Sequence, residues 1–332
     1  YFFQKKYDSS LINYQKSYDL LKKQKHKFKK EYLTSISRLG NVHKYLKNFD
    51  LSEKLLKKVL RKRKQFLGKD HLDYAKSCNN LAALYFTMEK YDKSSDLYKI
   101  ALSVKKDTLS ITSKSYILTL NNIIKQYISR ELYEQSIYYL EEKLEVNKML
   151  YRDTSKKYVL VLLQLADLFQ KTKNYQKSKN YYKKSIHILT SSAWNNSIFL
   201  AKSYMNYGTL EITQKKFKSA DSLLLKAFEI YGANRVKYPK KYLRCIYNQG
   251  ILYKNIKNYQ KAIQMLNLVK KEGKPEYSFY IKAINTLGYL YLKLKQYNSS
   301  EEMYLESLKY IKEKIPLDSN QCVIVYNNLG SL

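Results

Sequence analysis

The feature that most constrains this chain is a period of 42 residues. Shifting the sequence by 42 sets a small residue on a small residue at Gly40, Ala82, Ala166, Gly208 and Gly250. After one shorter step of 38 the column continues at Gly288 and Gly330, and only Ile124 interrupts it. Nine residues after each small residue stands an aromatic: Phe49, Tyr91, Tyr133, Tyr175, Phe217, Tyr259 and Tyr297. Three further on a second small residue recurs, at Ser52, Ser94, Ser136, Ser178, Ala220, Ala262 and Ser300, and Tyr7 and Ser10 extend both columns upstream. Self-similarity at this length means stacked copies of one supersecondary unit, none of which buries its apolar face alone.

The unit is most legible from Leu67 to Leu102. A first amphipathic helix, about Asp73 to Met88, buries Cys78, Leu81, Ala82 and Tyr85. A second, about Tyr91 to Lys105, buries Ser94, Leu97, Tyr98 and Ala101 at helical spacing. Glycine inside a helix costs roughly 1 kcal/mol against alanine, so five of the eight glycines sharing one register require close approach of a second helix backbone. The second small residue marks the tightest crossing. Units begin near Glu31, Asp73, Ser115, Lys157, Phe199, Lys241, Phe279 and Gln321, and a shortened junction with Gly273 and Pro275 absorbs the missing four residues. The expected fold class is all-α, one continuous solenoid of antiparallel helix pairs over residues 1–332, about eight 42-residue units. Pro239, Pro275 and Pro316 all precede a first helix, where a missing amide costs nothing. By register Tyr1 matches Tyr85 and Leu332 follows Gly330 by two, so both ends are expected to cut a unit, as in a piece of a longer polypeptide.

A small residue in the first helix, an aromatic at the turn and a small residue three on resembles the tetratricopeptide repeat (TPR). The long form here, with Leu67-Gly68-Lys69-Asp70-His71-Leu72-Asp73-Tyr74-Ala75 ahead of Asn79-Asn80-Leu81-Ala82-Ala83-Leu84-Tyr85, is similar to the repeats of kinesin light chain and of many bacterial TPR proteins. Leu72 stands where that family usually has proline. The resemblance implies a right-handed superhelix with first helices on its concave face. It also implies protein or peptide binding there, and, in bacteria, a sensor role beside an effector such as a caspase-like CHAT peptidase outside this chain.

Two positions before the small residue of the first helix an amide recurs: Asn80, Asn122, Gln164, Asn206, Asn248 and Asn328, with Arg38 and Thr286 as exceptions. Each amide offers donors and acceptors, so a row of them suits an extended peptide backbone, and the resemblance assigns this column to peptide contact. Lys76, Lys202, Arg244 and Lys282 stand four residues earlier on the same face and suit a peptide bearing carboxylates or phosphates. The competing reading is that the amides only bridge adjacent first helices.

Charge is the second large signal. Sixty-two Lys and Arg against 28 Asp and Glu leave +34. Lys22, Lys23, Lys25, Lys27, Lys29 and Lys30 form one run; Lys57, Lys58, Arg61, Lys62, Arg63 and Lys64 form another one period on. Together they predict a patch for an anionic partner, nucleic acid or ribonucleoprotein being the alternative function. Set against this, lysine is the usual solvated residue, and Lys, Asn and Tyr (36 Tyr) are abundant throughout.

Catalysis is not expected in this segment. His26, His43, His71 and His187 have no metal or triad spacing, and no Gly-rich phosphate loop is present. No cofactor is expected. Cys78, Cys245 and Cys322 lack paired spacing and suit a reducing compartment, hence the cytoplasm. The longest apolar run, Tyr158 to Phe169, is too short to span a bilayer. The sequence thus points to a peptide-binding array with no membrane contact.

Overall fold

The computed structural model describes residues 7–191, 197–314 and 320–332. It is all-α. First helices of the units are α2 (Lys29–Tyr45), α4 (Leu72–Thr87), α6 (Lys114–Ser129), α8 (Lys156–Lys171), α10 (Ile198–Thr213), α12 (Pro239–Asn255), α14 (Tyr280–Lys293) and α16 (Asn320–Leu329). Second helices are α1 (Tyr7–Lys23), α3 (Phe49–Leu67), α5 (Tyr91–Thr108), α7 (Tyr133–Tyr151), α9 (Tyr175–Thr190), α11 (Phe217–Ala233), α13 (Tyr259–Glu272) and α15 (Tyr297–Lys314). Each aromatic of the repeat opens its second helix. The chain gathers into two compact units, Tyr1–Val161 and Leu162–Leu332. In the first, α2 touches α4 and α4 touches α6; in the second, α10 touches α12.

The turn between paired helices is built the same way each time. At Lys47 the backbone turns left-handed (φ 62°). The Lys47 N–H donates to Lys44 O and the Asn48 N–H to His43 O, at 3.1 and 2.9 Å. This pair of bonds is a Schellman C-cap, which satisfies carbonyls that the helix end leaves free. Glu89, Glu131, Lys173, Lys215, Lys257 and Lys295 repeat the left-handed turn. None is glycine, so composition gives no sign of it. Pro239 is the first residue of α12 and Pro275 lies between α13 and α14; Pro316 falls outside the described residues.

The small-residue column has a different cause from the one expected. A Cβ on Gly40 would stand 2.8 Å from Leu56 Cγ, one on Gly250 2.9 Å from Leu266 Cγ, and one on Gly288 2.6 Å from Tyr304 Cε1. What approaches most closely is the side chain sixteen residues on, while the expected backbone of the second helix is near at Gly208, where Ala220 O would lie 3.4 Å from an added Cβ. The serine twelve residues on does engage backbone: Ser52 Oγ donates to Gly40 O, Ser178 Oγ to Ala166 O and Ser300 Oγ to Gly288 O, all at 2.7–2.8 Å. A small first-helix residue admits the bulky neighbour, and the hydroxyl pins the pair.

Candidate functional site

Within the first unit, α2, α4 and α6 enclose an open groove of about 830 Å³. Its polar lining is Asn41, Asn79, Asn80, Thr87 and Asn122 with Lys44, Lys47 and Lys125, and its apolar lining includes Tyr45, Phe86 and Leu118. No carboxylate lines it. Asn80 and Asn122 of the expected column are therefore in the groove, while Lys76, exposed on α4, does not line it.

These amides are anchored. Asn80 Nδ2 donates to Ser37 Oγ on α2 at 3.0 Å, and Asn122 Nδ2 to Asn79 Oδ1 on α4 at 3.3 Å. Asn79 Oδ1 also accepts from Thr119 Oγ1 at 3.2 Å. Thr119 in turn accepts from the buried Lys105 Nζ at 2.6 Å. Bridging between adjacent first helices is thus a fact of the structure. It uses one donor of each amide and leaves the carboxamide oxygens of Asn80 and Asn122 and a second N–H for other partners.

In the second unit the column is divided. Asn206 Nδ2 donates to Asp167 Oδ1 at 2.9 Å, and Asn328 Nδ2 to Asn285 Oδ1 at 3.0 Å. Asn248 is buried, and Gln164 is half-buried. The cations expected beside the amides are not all available. Lys202 Nζ lies 3.9 Å from Asp167 and Lys76 Nζ 2.9 Å from Asp73, so both positive charges are partly neutralised on the protein itself. Arg244 and Lys282 are exposed.

Sequence reasoning missed Asn41, Lys44, Asn79 and Lys125. Lys44 has the strongest electrostatic signature: burial pushes its ammonium down to about 8. Asn41, Lys125 and Lys44 stand one and four residues after the small column, on positions that neither the amide column nor the cations four residues before it mark.

The two basic runs do meet. Lys22 and Lys23 end α1, Lys25 and Lys27 lie in the turn, Lys29 and Lys30 open α2, and the 57–64 run lies on α3. Lys25, Lys29, Lys58 and Lys62 line one cleft. Arg63 is a correction. It is 5% exposed, and its guanidinium donates to Asp73 O (3.1 Å), Ser77 Oγ (3.0 Å) and Thr34 Oγ1 (3.1 Å). Its charge serves α2 and α4 from within. Lys105 and Asn147, at 42-residue steps, do the same for Ser115 O and Lys157 O.

All three cysteines are buried, and burial pushes Cys78 up to about 11 and Cys245 up to about 12, so neither thiol ionises near neutrality. Among the described residues no helix is long and apolar enough to cross a membrane.

Paired helices with capped turns and a polar groove on the first-helix side define a helical-repeat protein. The sequence matches tetratricopeptide repeat models over residues 31–107, 160–188 and 281–314. Those stretches are tetratricopeptide repeats. Repeats of this type generally bind proteins or peptides. No curated protein matches the sequence. Among solved structures, the chain is similar to BtubC (BKLC) from P. vanneervenii, at 19% identity and TM-score 0.52, covering 69% of this chain and 92% of that one. It is similar to the apo quorum sensor NprR from B. thuringiensis, at 15% identity and TM-score 0.55, covering 92% and 83%. It is also similar to a signal transduction ATPase with numerous domains, with a tetratricopeptide repeat sensor, from Pyrococcus horikoshii. There the identity is 16% and the TM-score 0.62, over 89% of this chain and 44% of that one. At such identities the likeness establishes the fold.

Proposed function

We propose that the chain is a protein-binding scaffold whose first unit holds an extended, acidic segment of a partner between α2, α4 and α6. The observation that carries this reading is the groove itself: anchored amides with unused hydrogen-bonding groups, three lysines, and no carboxylate in its lining. Anchoring lowers the entropy lost when a peptide is gripped. The lysines select for carboxylates or phosphates.

The finer reading is that the array is the sensor or regulatory region of a larger protein. It is supported by neighbours described as a quorum sensor and as a tetratricopeptide repeat sensor and by the sequence resemblance to bacterial arrays that accompany effectors such as CHAT peptidases. This reading gives the segment no catalysis of its own, and the full-length gene sequence tests it. The binding reading is tested by selecting random 15-residue peptides displayed on phage against the chain. Enriched peptides are acidic and bind Lys125→Glu at least tenfold more weakly; enrichment of neutral or basic peptides, or equal binding to the variant, contradicts it.

A further inference from the structure

At the start of α2, whose other end lines the groove, a cleft of about 500 Å³ is lined by Lys25, His26, Lys29, Tyr32, Leu33, Lys58, Lys62 and Phe66. No carboxylate lines it, and no ion pair is formed by Lys25, Lys29, Lys58 or Lys62 among the described residues. Elsewhere in the same unit lysines do find acids, as Lys57 finds Glu53 and Lys106 finds Glu142. The gathering here is therefore more than the chain's general excess of lysine.

Aromatic rings are interleaved with these cations. Lys29 Nζ and Lys62 Nζ both stand over the Phe66 ring, Lys58 Nζ lies 6.0 Å from the centre of Tyr32, and Tyr18 stacks on Tyr32 at 5.6 Å. Phe66 is 44% exposed. The α2 N-terminus opens at the same place and has no side-chain cap, so its amide dipoles add to the positive field. Beyond Lys58 the cationic surface continues along α3 through Lys54, Arg61 and Lys64, with Tyr74 beside it.

A positive track with an exposed ring, Phe66, among its cations fits phosphates joined by flat bases better than it fits carboxylates alone, because that ring offers a stacking surface to an unpaired base. We propose that this cleft binds single-stranded nucleic acid, phosphates on Lys25, Lys29, Lys58 and Lys62 and a base on Phe66. Binding is tolerant of sequence, since no Asn, Gln, Arg, Asp or Glu lines the cleft to pair with a base edge.

The test uses a fluorescein-labelled 20-nucleotide oligothymidylate in anisotropy titrations from low to moderate salt. Two fourfold charge reversals carry the same net charge: the cleft variant (Lys25→Glu, Lys29→Glu, Lys58→Glu, Lys62→Glu) and a control in the second unit (Lys218→Glu, Lys226→Glu, Lys261→Glu, Lys271→Glu). All eight lysines except the half-buried Lys62 are exposed, and circular dichroism checks that each variant is folded. The cleft variant is expected to lose more than tenfold in affinity, with a log–log salt slope reduced by about 3, at ~0.7 per phosphate neutralised. The control keeps both within about twofold. Phe66→Ala alone loses about tenfold without changing the slope. Equal losses in the two reversals would show that only net charge matters and would overturn the proposal. So would tighter binding of polyglutamate or of phosphatidylserine vesicles than of the oligonucleotide.

Discussion

Ser94 Oγ donates a 2.8 Å hydrogen bond to Ala82 O, twelve residues back across the turn, and joins α5 to α4. The counterpart in the next unit breaks the rule for a visible reason. Ile124 occupies the small-residue position there, and the Ser136 hydroxyl is buried with no hydrogen-bond partner. Serines with and without this bond therefore predict opposite responses. Ser178→Ala, which removes the equivalent bond to Ala166, is expected to destabilise by about 1 kcal/mol. Ser136→Ala is expected to be neutral or stabilising. Paired urea unfolding curves measure both.

Close packing at Gly288 is tighter still, since an added Cβ would lie 2.6 Å from Cε1 of the fully buried Tyr304 ring, well inside van der Waals contact. Gly288→Ala gains helix propensity of about 1 kcal/mol and meets overpacking of about 1–3 kcal/mol. A net loss of stability is expected. At Gly330 the nearest atoms are 3.5 Å away or more, and alanine there is expected to leave the melting temperature unchanged or raised.

The left-handed turn residues give a stabilising prediction. Lys257 holds φ 62°, a conformation that costs an L-residue on the order of 1 kcal/mol. Lys257→Gly is expected to raise stability by about 0.5–1 kcal/mol, visible as a higher melting temperature. Lys257→Val, with a branched Cβ in the same geometry, is expected to lower it.

Buried lysine makes stability depend on alkaline pH. Burial, with Lys76 adding like charge, pushes Lys105 down to about 8, whereas the unfolded side chain titrates near its ordinary value. Below pH ~8 both states are charged and the penalty is constant. Between about pH 8 and 10 the folded state has released its proton and the unfolded state has not, so stability rises with pH. Lys44, also pushed down to about 8 by burial, contributes the same sign. Lys105→Leu, a residue accepted at the equivalent Leu189, is expected to flatten part of that rise and to be neutral or stabilising at pH 7. Chemical denaturation at pH 7, 8.5 and 9.5 reads the slope.

The same physics reaches the groove. An acidic peptide favours charged Lys44, so binding takes up a proton near pH 8 and affinity falls as pH rises from 7 to 9. Lys44→Arg, charged throughout, is expected to abolish that fall while keeping affinity at pH 7 within about threefold. Calorimetry in buffers of different ionisation enthalpy counts the proton directly.

Helix pairing and its register were legible because apolar side chains recur at positions that only stacking explains: every second helix opens at the predicted aromatic. Asn80 and Asn122 were legible as groove residues for the same reason, their distance from Ala82 and Ile124 fixing which way they face. What the sequence could not disclose was partnership across units. Arg63 sits in a basic run and reads as surface, yet three acceptors supplied by α2 and α4 draw it inside. Lys76 and Lys202 read as free cations because Asp73 is a helix-start residue and Asp167 lies one unit away. The turn residues Lys47 and Glu89 hold a conformation that glycine usually signals. No pattern of residue types reveals it.

Hydrogen exchange on the chain, free and saturated with one phage-enriched acidic peptide, tests the central claim most directly. The account predicts added protection in α2, α4 and α6, centred on Asn41 to Lys47, Asn79 to Thr87 and Asn122 to Lys125, and none of it in Lys125→Glu. Protection confined to second helices, or unchanged by that substitution, would contradict the claim that the first-helix groove is where this protein holds its partner.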